Sequence, residues 1–305
     1  MLLGLALPTY GPDADPNPLI RFGRAAEEMG YDSVWTGDRV LAPVQPSAPY
    51  PSADGIMPRE FERHLDPLTA LTFVAAHTER IRLGTSTLNG LWQPALMLAR
   101  SLTTLDHLSH GRLDVGLGLG WMPDEYTALG VPWARRGDRL EETLTVLQKY
   151  WTQDHLQHEG TLFSIPKSVV GLKPFQRPGP PILLAAFSGA GLRRVGRRAD
   201  GWLPVAMPLP AVMDSWAIAV QAAEKAGRDP SALRMALRVN THLTDTKARA
   251  EDVPFSGTLQ QYIDYALSAA EAGVHELFFD FGLTSLTLDE RLELAETIIK
   301  GVRTR

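Results

Sequence analysis

An alternation constrains this chain more than any other feature. Eight short apolar runs, Leu2–Pro8, Asp32–Gly37, Ile81–Leu88, Leu113–Leu119, Pro181–Ala186, Gly201–Ala206, Leu233–Leu243 and His275–Phe281, are separated by amphipathic stretches. Those stretches are helix candidates near Pro18–Met29, Pro67–Thr78, Pro94–Leu108, Gly137–Trp151, Ala190–Arg197, Pro210–Ala226, Thr258–Ala272 and Asp289–Val302. The period of the hydrophobic pattern changes accordingly between about 2 and about 3.6 residues. Pro18, Pro67, Pro94 and Pro210 stand where helices begin, and Gly30, Gly111 and Gly273 where they end. A strand–helix unit repeated in this way predicts a parallel sheet with crossover helices. Eight units close into an α/β barrel of the (β/α)8 TIM type. An open, doubly wound sheet is the alternative.

The length of 305 residues suits one such barrel domain, 1–305. The chain has a net charge of −5 and no cysteine. The acidic balance argues against a nucleic-acid partner, and the absence of cysteine excludes disulfides, thiolate catalysis and cysteine-ligated metals. The opening MLLGLALPTYGP lacks a basic segment and reads as a first strand rather than a signal peptide. No apolar run reaches the roughly 18 residues of a membrane span. The expectation is a cytoplasmic enzyme with a small-molecule substrate and no membrane partner.

The repeats are unequal. Insertions fall after the second candidate strand (Asp38–Asp66), after the fourth (Gly120–Arg136) and before the fifth (His155–Pro180, read as a hairpin). The first two extend the C-terminal face, where barrel enzymes place their sites, and are lid candidates.

Candidate site residues sit at the strand ends. Asp38 can accept a hydrogen bond from a ring edge or orient a proton donor. Arg39 beside it stays protonated, which suits an anion contact, to substrate or cofactor, better than proton donation; an Asp–Arg surface pair is the other reading. Asn89 either bonds ring heteroatoms or caps its strand. Gly116, Gly118 and Gly120 alternate; they let a flat ring or a backbone approach closely, and the helix opening and ribose-binding acid of a dinucleotide fingerprint are not evident. Trp121 either walls the site or belongs to the core. Ser188, Gly189 and Ala190 lead into a helix whose free N–H groups suit a phosphate, or Ser188 is an ordinary N-cap. Arg193, Arg194, Arg197 and Arg198 follow as a solvated face from which one could assist an anionic tail. The eight histidines form no metal-ligand pattern, and no GxSxG elbow occurs.

The runs AAEEMGYDSVWTGDR, DPLTALTFVAAHTERIRLGTSTLN, TTLDHLSHGRLDVGLGLGWMPDEYTALGVPWARRGDRLEE and LRRVGRRADGWLP together resemble the luciferase-like monooxygenase family, and most closely its F420-dependent oxidoreductases. The resemblance covers about residues 1–206. It implies a (β/α)8 barrel binding F420 or FMN across its mouth, a non-proline cis peptide at Ser86–Thr87 behind the ring, and the cofactor phosphate over the later strands. It also implies a homodimer and, for an FMN enzyme, a separate reductase. Many members carry histidine where this chain has Arg39, which puts a histidine-based mechanism at that position in doubt. Three functions are open: hydride transfer between F420 and a small organic substrate, FMN-dependent monooxygenation with O2, and a non-catalytic flavin-binding barrel. F420 ends in a polyanionic glutamyl tail, for which Arg135, Arg136 and Arg139 are on offer unless they pair with Asp138, Glu141 and Glu142.

Overall fold

The computed structural model describes all residues except 53, 206, 250, 251 and 305. Eleven strands and nine α-helices alternate among the described residues: β1 (Leu2–Ala6), α1 (Pro16–Met29), β2 (Ser33–Thr36), α2 (Pro67–Ala75), β3 (Arg82–Thr85), β4 (Leu88–Asn89), α3 (Ala95–Leu108), β5 (Leu113–Gly118), α4 (Pro123–Ala128), α5 (Arg136–Thr152), β6 (His155–Glu159), β7 (Ser164–Val169), β8 (Ile182–Leu184), α6 (Gly189–Arg198), β9 (Gly201–Trp202), α7 (Leu209–Lys225), β10 (Arg234–Asn240), α8 (Leu259–Glu271), β11 (Glu276–Asp280) and α9 (Leu288–Arg303). The principal sheet runs β3-β2-β1-β11-β10-β9-β8-β5-β4, and a further β3–β5 pairing closes it. Every pairing in it is parallel. This is the closed barrel of the expected (β/α)8 type, not the open sheet. The separate antiparallel pair β6–β7 is the hairpin expected before the fifth barrel strand.

The lumen is filled in layers. Trp35 stacks on Phe278 with ring centroids 4.8 Å apart, and Leu183, Leu203 and Ala236 complete their cluster. Trp35 fits because Gly84 faces it: a Cβ there would lie 2.2 Å from the indole. Below this layer Arg82 and Arg234 both bond Asp114, and Ser33 and Trp35 donate to Glu276. Above it Arg238 bonds Asp280. Each of these buried carboxylates thus has a donor, as a low-dielectric interior requires.

The departures from the expected elements have local causes. The third run divides into β3 and β4 at Ser86–Thr87, which is a cis peptide. The sixth run forms strand only over Gly201–Trp202; Pro204 has no N–H to give the ladder, pairing resumes only as the isolated Val205–Arg238 bridge, and Ala206 lies outside the described residues. The seventh ends at Asn240 rather than Leu243. Pro94 is an N-cap rather than a first helical residue, and Pro16, not Pro18, opens α1. The short helix α4 inside the second insertion was not anticipated. No helix among the described residues is long and apolar enough to cross a membrane.

Candidate active site

A cavity of about 730 Å³ opens at the C-terminal ends of the strands, within the size range of cofactor and substrate sites. Asp38, Arg39, Ser86, Thr87, Asn89, Gly118, Gly120, Trp121 and Ser188 all line it. Gly189 and Ala190 start α6 beside it without being part of its wall.

Asp38 leaves β2 into the 38–66 loop. Its Oδ2 accepts the Asn89 N–H at 3.0 Å. Burial pushes its carboxyl up to about 7 against that hydrogen bond, with nearby Asp66 and Glu125 adding to the rise. Asn89 is spent locally: its side-chain Nδ2 donates to Tyr126 Oη at 3.1 Å and its Oδ1 accepts from Leu91 N at 3.1 Å. Asn89 thus bonds locally while also lining the cavity.

Arg39 is not half of a surface Asp–Arg pair. Its side chain is 9% exposed, with the guanidinium 5.2 Å from the Phe61 ring centroid and 5.1 Å from that of Trp121. Its carboxylate neighbour is Glu125, at 3.7 Å. Trp121 in turn meets Tyr50 edge-on at 5.3 Å. The 38–66 loop is thereby fastened across the cavity. Ser47 donates its N–H and hydroxyl to Asp124 at 3.0 and 2.6 Å, and Val40 N donates to Glu125 at 2.9 Å.

The alternating glycines admit closely packed protein, and Gly118 and Gly120 also line the cavity. A Cβ at Gly116 would sit 1.8 Å from Thr85 O, at Gly118 2.6 Å from Thr87 Oγ1, and at Gly120 2.8 Å from Asn89 Nδ2. They let the β3–β4 bulge press against β5. Arg238 Nη1 donates to Ser86 O at 2.8 Å and holds the bulge from inside the barrel. At the far side Ser188 caps α6, accepting from Gly191 N at 3.2 Å, while the N–H groups of its first turn point out of the helix start.

The structure adds residues that the strand-by-strand reading missed. Tyr10 donates to Asp280 Oδ1 at 2.9 Å, and burial with that carboxylate beside it holds the phenol well above its usual range. His64 stacks on Tyr10, centroids 5.7 Å apart. Its Nδ1 donates to Leu65 O at 2.9 Å, which leaves Nε2 as the lone-pair nitrogen in the cavity wall. Burial, reinforced by Arg39 and Arg238, holds its pKa below the ordinary imidazole value. Arg238 and Asp280 were legible as charged residues near the ends of apolar runs; His64, in a long loop, carried no such signal.

Several buried polar atoms have no protein partner. Trp92 Nε1, Arg238 Nε and Asn240 Oδ1 belong to cavity-lining residues. Arg136 Nη1 and Arg139 Nε are on the first turns of α5, whose Gly137 adjoins Arg194 at the cavity wall. Unpaired donors at two helix starts suit an anionic group, and orphaned donors and an acceptor around a largely apolar cavity suit a polar heterocycle. A flavin or deazaflavin fits these residues. Among the described residues no cluster able to hold a metal occurs.

Comparison with known proteins agrees with this architecture. Residues 3–287 match the family model of the luciferase-like monooxygenases. The uncharacterized protein Rv0953c of Mycobacterium tuberculosis is 32% identical over 262 residues, 83% of this chain and 90% of its own. An F420-dependent glucose-6-phosphate dehydrogenase of Microbacterium testaceum is 32% identical over 193 residues, 62% of this chain and 52% of its own. Among solved structures, the monooxygenase RslO1 of Streptomyces bottropensis superposes with a TM-score of 0.82 at 22% identity, covering 100% of this chain and 99% of that one. The chain belongs to the luciferase-like monooxygenase family and is an oxidoreductase of that family's barrel type.

Proposed function

We propose that this chain is an F420-dependent oxidoreductase that moves a hydride between the deazaflavin and a small organic substrate. The observation that carries the choice of cofactor is the state of the arginines at the start of α5. Arg135 pairs with Asp138, but Glu141 is occupied by Arg194, Arg197 and Arg198, and Glu142 by His158. Arg136, whose guanidinium lies over the Trp133 ring, and Arg139 each keep one buried guanidinium nitrogen without an acceptor. Such donors suit the polyanionic tail that F420 has and FMN lacks. The sequence relationship to the F420-dependent enzyme of Microbacterium testaceum supports the same reading.

In this reading the α6 start at Ser188, Gly189 and Ala190 holds the cofactor phosphate, and Ser86–Thr87, steadied by Arg238, backs the ring. When bound, the deazaflavin supplies two-electron hydride chemistry. The chain's own residues do the rest. Arg39, Phe61, Trp121 and Tyr50 close the mouth and exclude water. His64 Nε2 takes or returns the substrate proton, and Asp38 with its raised pKa holds a second proton at the same cavity.

Titration of the apoprotein with F420, FMN and FAD at two salt concentrations tests the proposal. Tight F420 binding that weakens modestly with salt is expected, because contacts between the anionic tail and half-buried arginines are partly screened. FMN binding more tightly than F420, independently of salt, overturns it in favour of a flavin monooxygenase served by a separate reductase.

A further inference from the structure

The barrel has a second cavity, of about 600 Å³, at the opposite pole. Ile182 and Arg234, the first residues of β8 and β10, and Asp200, just before β9, line it, so it opens at the N-terminal ends of the strands. We propose that this cavity is a binding site for a small multivalent oxyanion, of the phosphate-ester or polycarboxylate type, separate from the cofactor site.

The argument is a balance of donors and acceptors. Five arginines line the cavity, Arg177, Arg197, Arg198, Arg228 and Arg234, against one acid, Asp200. Asp200 Oδ2 already accepts the Ile182 N–H at 2.8 Å. Arg197 and Arg198 share the single carboxylate of Glu141 with Arg194. Arg234 shares Asp114 with Arg82 and lies 4.0 Å from Glu276. Arg228 bonds the Gly196 carbonyl at 2.6 Å, and Arg177 reaches only the carbonyl of its neighbour Gln176 at 3.5 Å. Two further donors in the wall, Arg234 Nε and the indole Nε1 of Trp151, are buried without any acceptor; Trp151 is 6% exposed. This concentration of positive charge stands in a chain whose net charge is −5.

Part of it has a structural cause. Arg197 and Arg198 lie in the last turn of α6, where cations offset the helix dipole. That cause does not extend to Arg177 on the connection into β8, to Arg234 at a strand start, or to an orphaned indole N–H. Leaving buried donors unpaired is unfavourable, and guanidinium groups complement oxyanions through paired hydrogen bonds. The cavity exceeds what a lone inorganic ion needs and falls in the range for a small metabolite.

The full chain is titrated at constant ionic strength with inorganic tripolyphosphate and, separately, with citrate, by calorimetry and tryptophan fluorescence. Saturable binding that persists in Ser188→Asp is expected, and the preferred probe assigns the phosphate or the carboxylate class. Arg177→Gln/Arg228→Gln should weaken it at least about tenfold, as expected for the loss of charge-assisted contacts. Arg177→Glu, which removes no carboxylate pair, is the second variant and should weaken it at least severalfold even where the double variant folds poorly. Ser188→Asp, at the other pole, should leave this affinity unchanged. The proposal is overturned by the absence of saturable binding of either probe, by undiminished binding in a folded Arg177→Glu protein, or by binding that Ser188→Asp abolishes.

Discussion

The backbone N–H of Asn89 donates to Asp38 Oδ2 at 3.0 Å, tying the end of β2 to the short strand β4 beyond the bulge. This bond steadies the charged form of Asp38, yet burial outweighs it and the carboxyl titrates at about 7. The unfolded carboxyl loses its proton near pH ~4. The native chain therefore binds one more proton than the unfolded chain between about pH 4 and pH 7, and stability from this group falls as pH rises through that window.

Asp38→Asn removes the titration while keeping an acceptor for Asn89. The variant should lack this part of the pH slope and gain on the order of 2 kcal/mol relative to the parent above pH ~7.5. Denaturant midpoints between pH 5 and pH 8 measure it. Parallel curves for the two proteins would show that Asp38 is ionised throughout.

Arg39→Ala empties a position between Phe61 and Trp121. Each cation–π contact is worth about 0.5–2 kcal/mol, so the variant should be less stable by roughly 1–3 kcal/mol. With the loop less well held, KM should rise about three- to tenfold while kcat changes less. A collapse of kcat at constant KM would contradict a holding role.

Much of this was legible in the sequence because periodicity is a direct record of burial. The eight strands follow apolar runs that the barrel buries on both faces, and Leu113–Gly118 is buried along its whole length. Asp38, Trp121 and Ser188 could be placed around one cavity from the sequence because strand ends in a barrel point to one face. What stayed hidden depends on contacts between segments distant in sequence. His64 lies 54 residues from Tyr10 and meets it only through the Tyr10–His64 bridge. The glycines of β5 gave a correct sense of close approach, but the sequence left open whether ring or backbone approaches; Thr85 O answers that for Gly116. The pairing of Glu141 was equally undecidable before α5 and α6 were set side by side, and that of Glu142 before His158 of β6 was folded back on α5.

Asp124 holds Ser47 by two hydrogen bonds at the surface. Asp124→Ala should therefore free the 38–66 loop without moving the unfolding midpoint. Amide exchange across that loop should accelerate about tenfold or more while the barrel strands keep their protection. Unchanged exchange would mean that the contacts of Arg39, Val40 and Tyr50 suffice to hold the loop.

Ser188→Asp keeps an N-cap oxygen for Gly191 but places negative charge where the cofactor phosphate is assigned. Binding should weaken at least about tenfold, or 1.4 kcal/mol, with the fold intact because aspartate is as good a cap as serine. Equal affinity in parent and variant moves the phosphate away from α6.

His64→Gln tests the proton path. Nδ1 is committed to Leu65 O, so Nε2 is the nitrogen free to exchange a proton with a ligand in the cavity. The neutral ring is the working form of a base, and burial with Arg39 and Arg238 nearby favours it, while Asp280 acts in the opposite direction. For substrate oxidation, kcat/KM should fall on the acid side as the imidazole gains its proton, at a pH below the ordinary ~6.5. Glutamine retains a donor for Leu65 O but accepts no proton. The variant should lose about a hundredfold or more in kcat, within the usual range for a general base, and its acid limb should disappear. Arg39→Ala supplies an independent check, since removing that cation should move the limb to higher pH without abolishing it. If His64→Gln keeps both the parent kcat and the acid limb, the proton passes through Asp38 instead, and the limb should then vanish in Asp38→Asn.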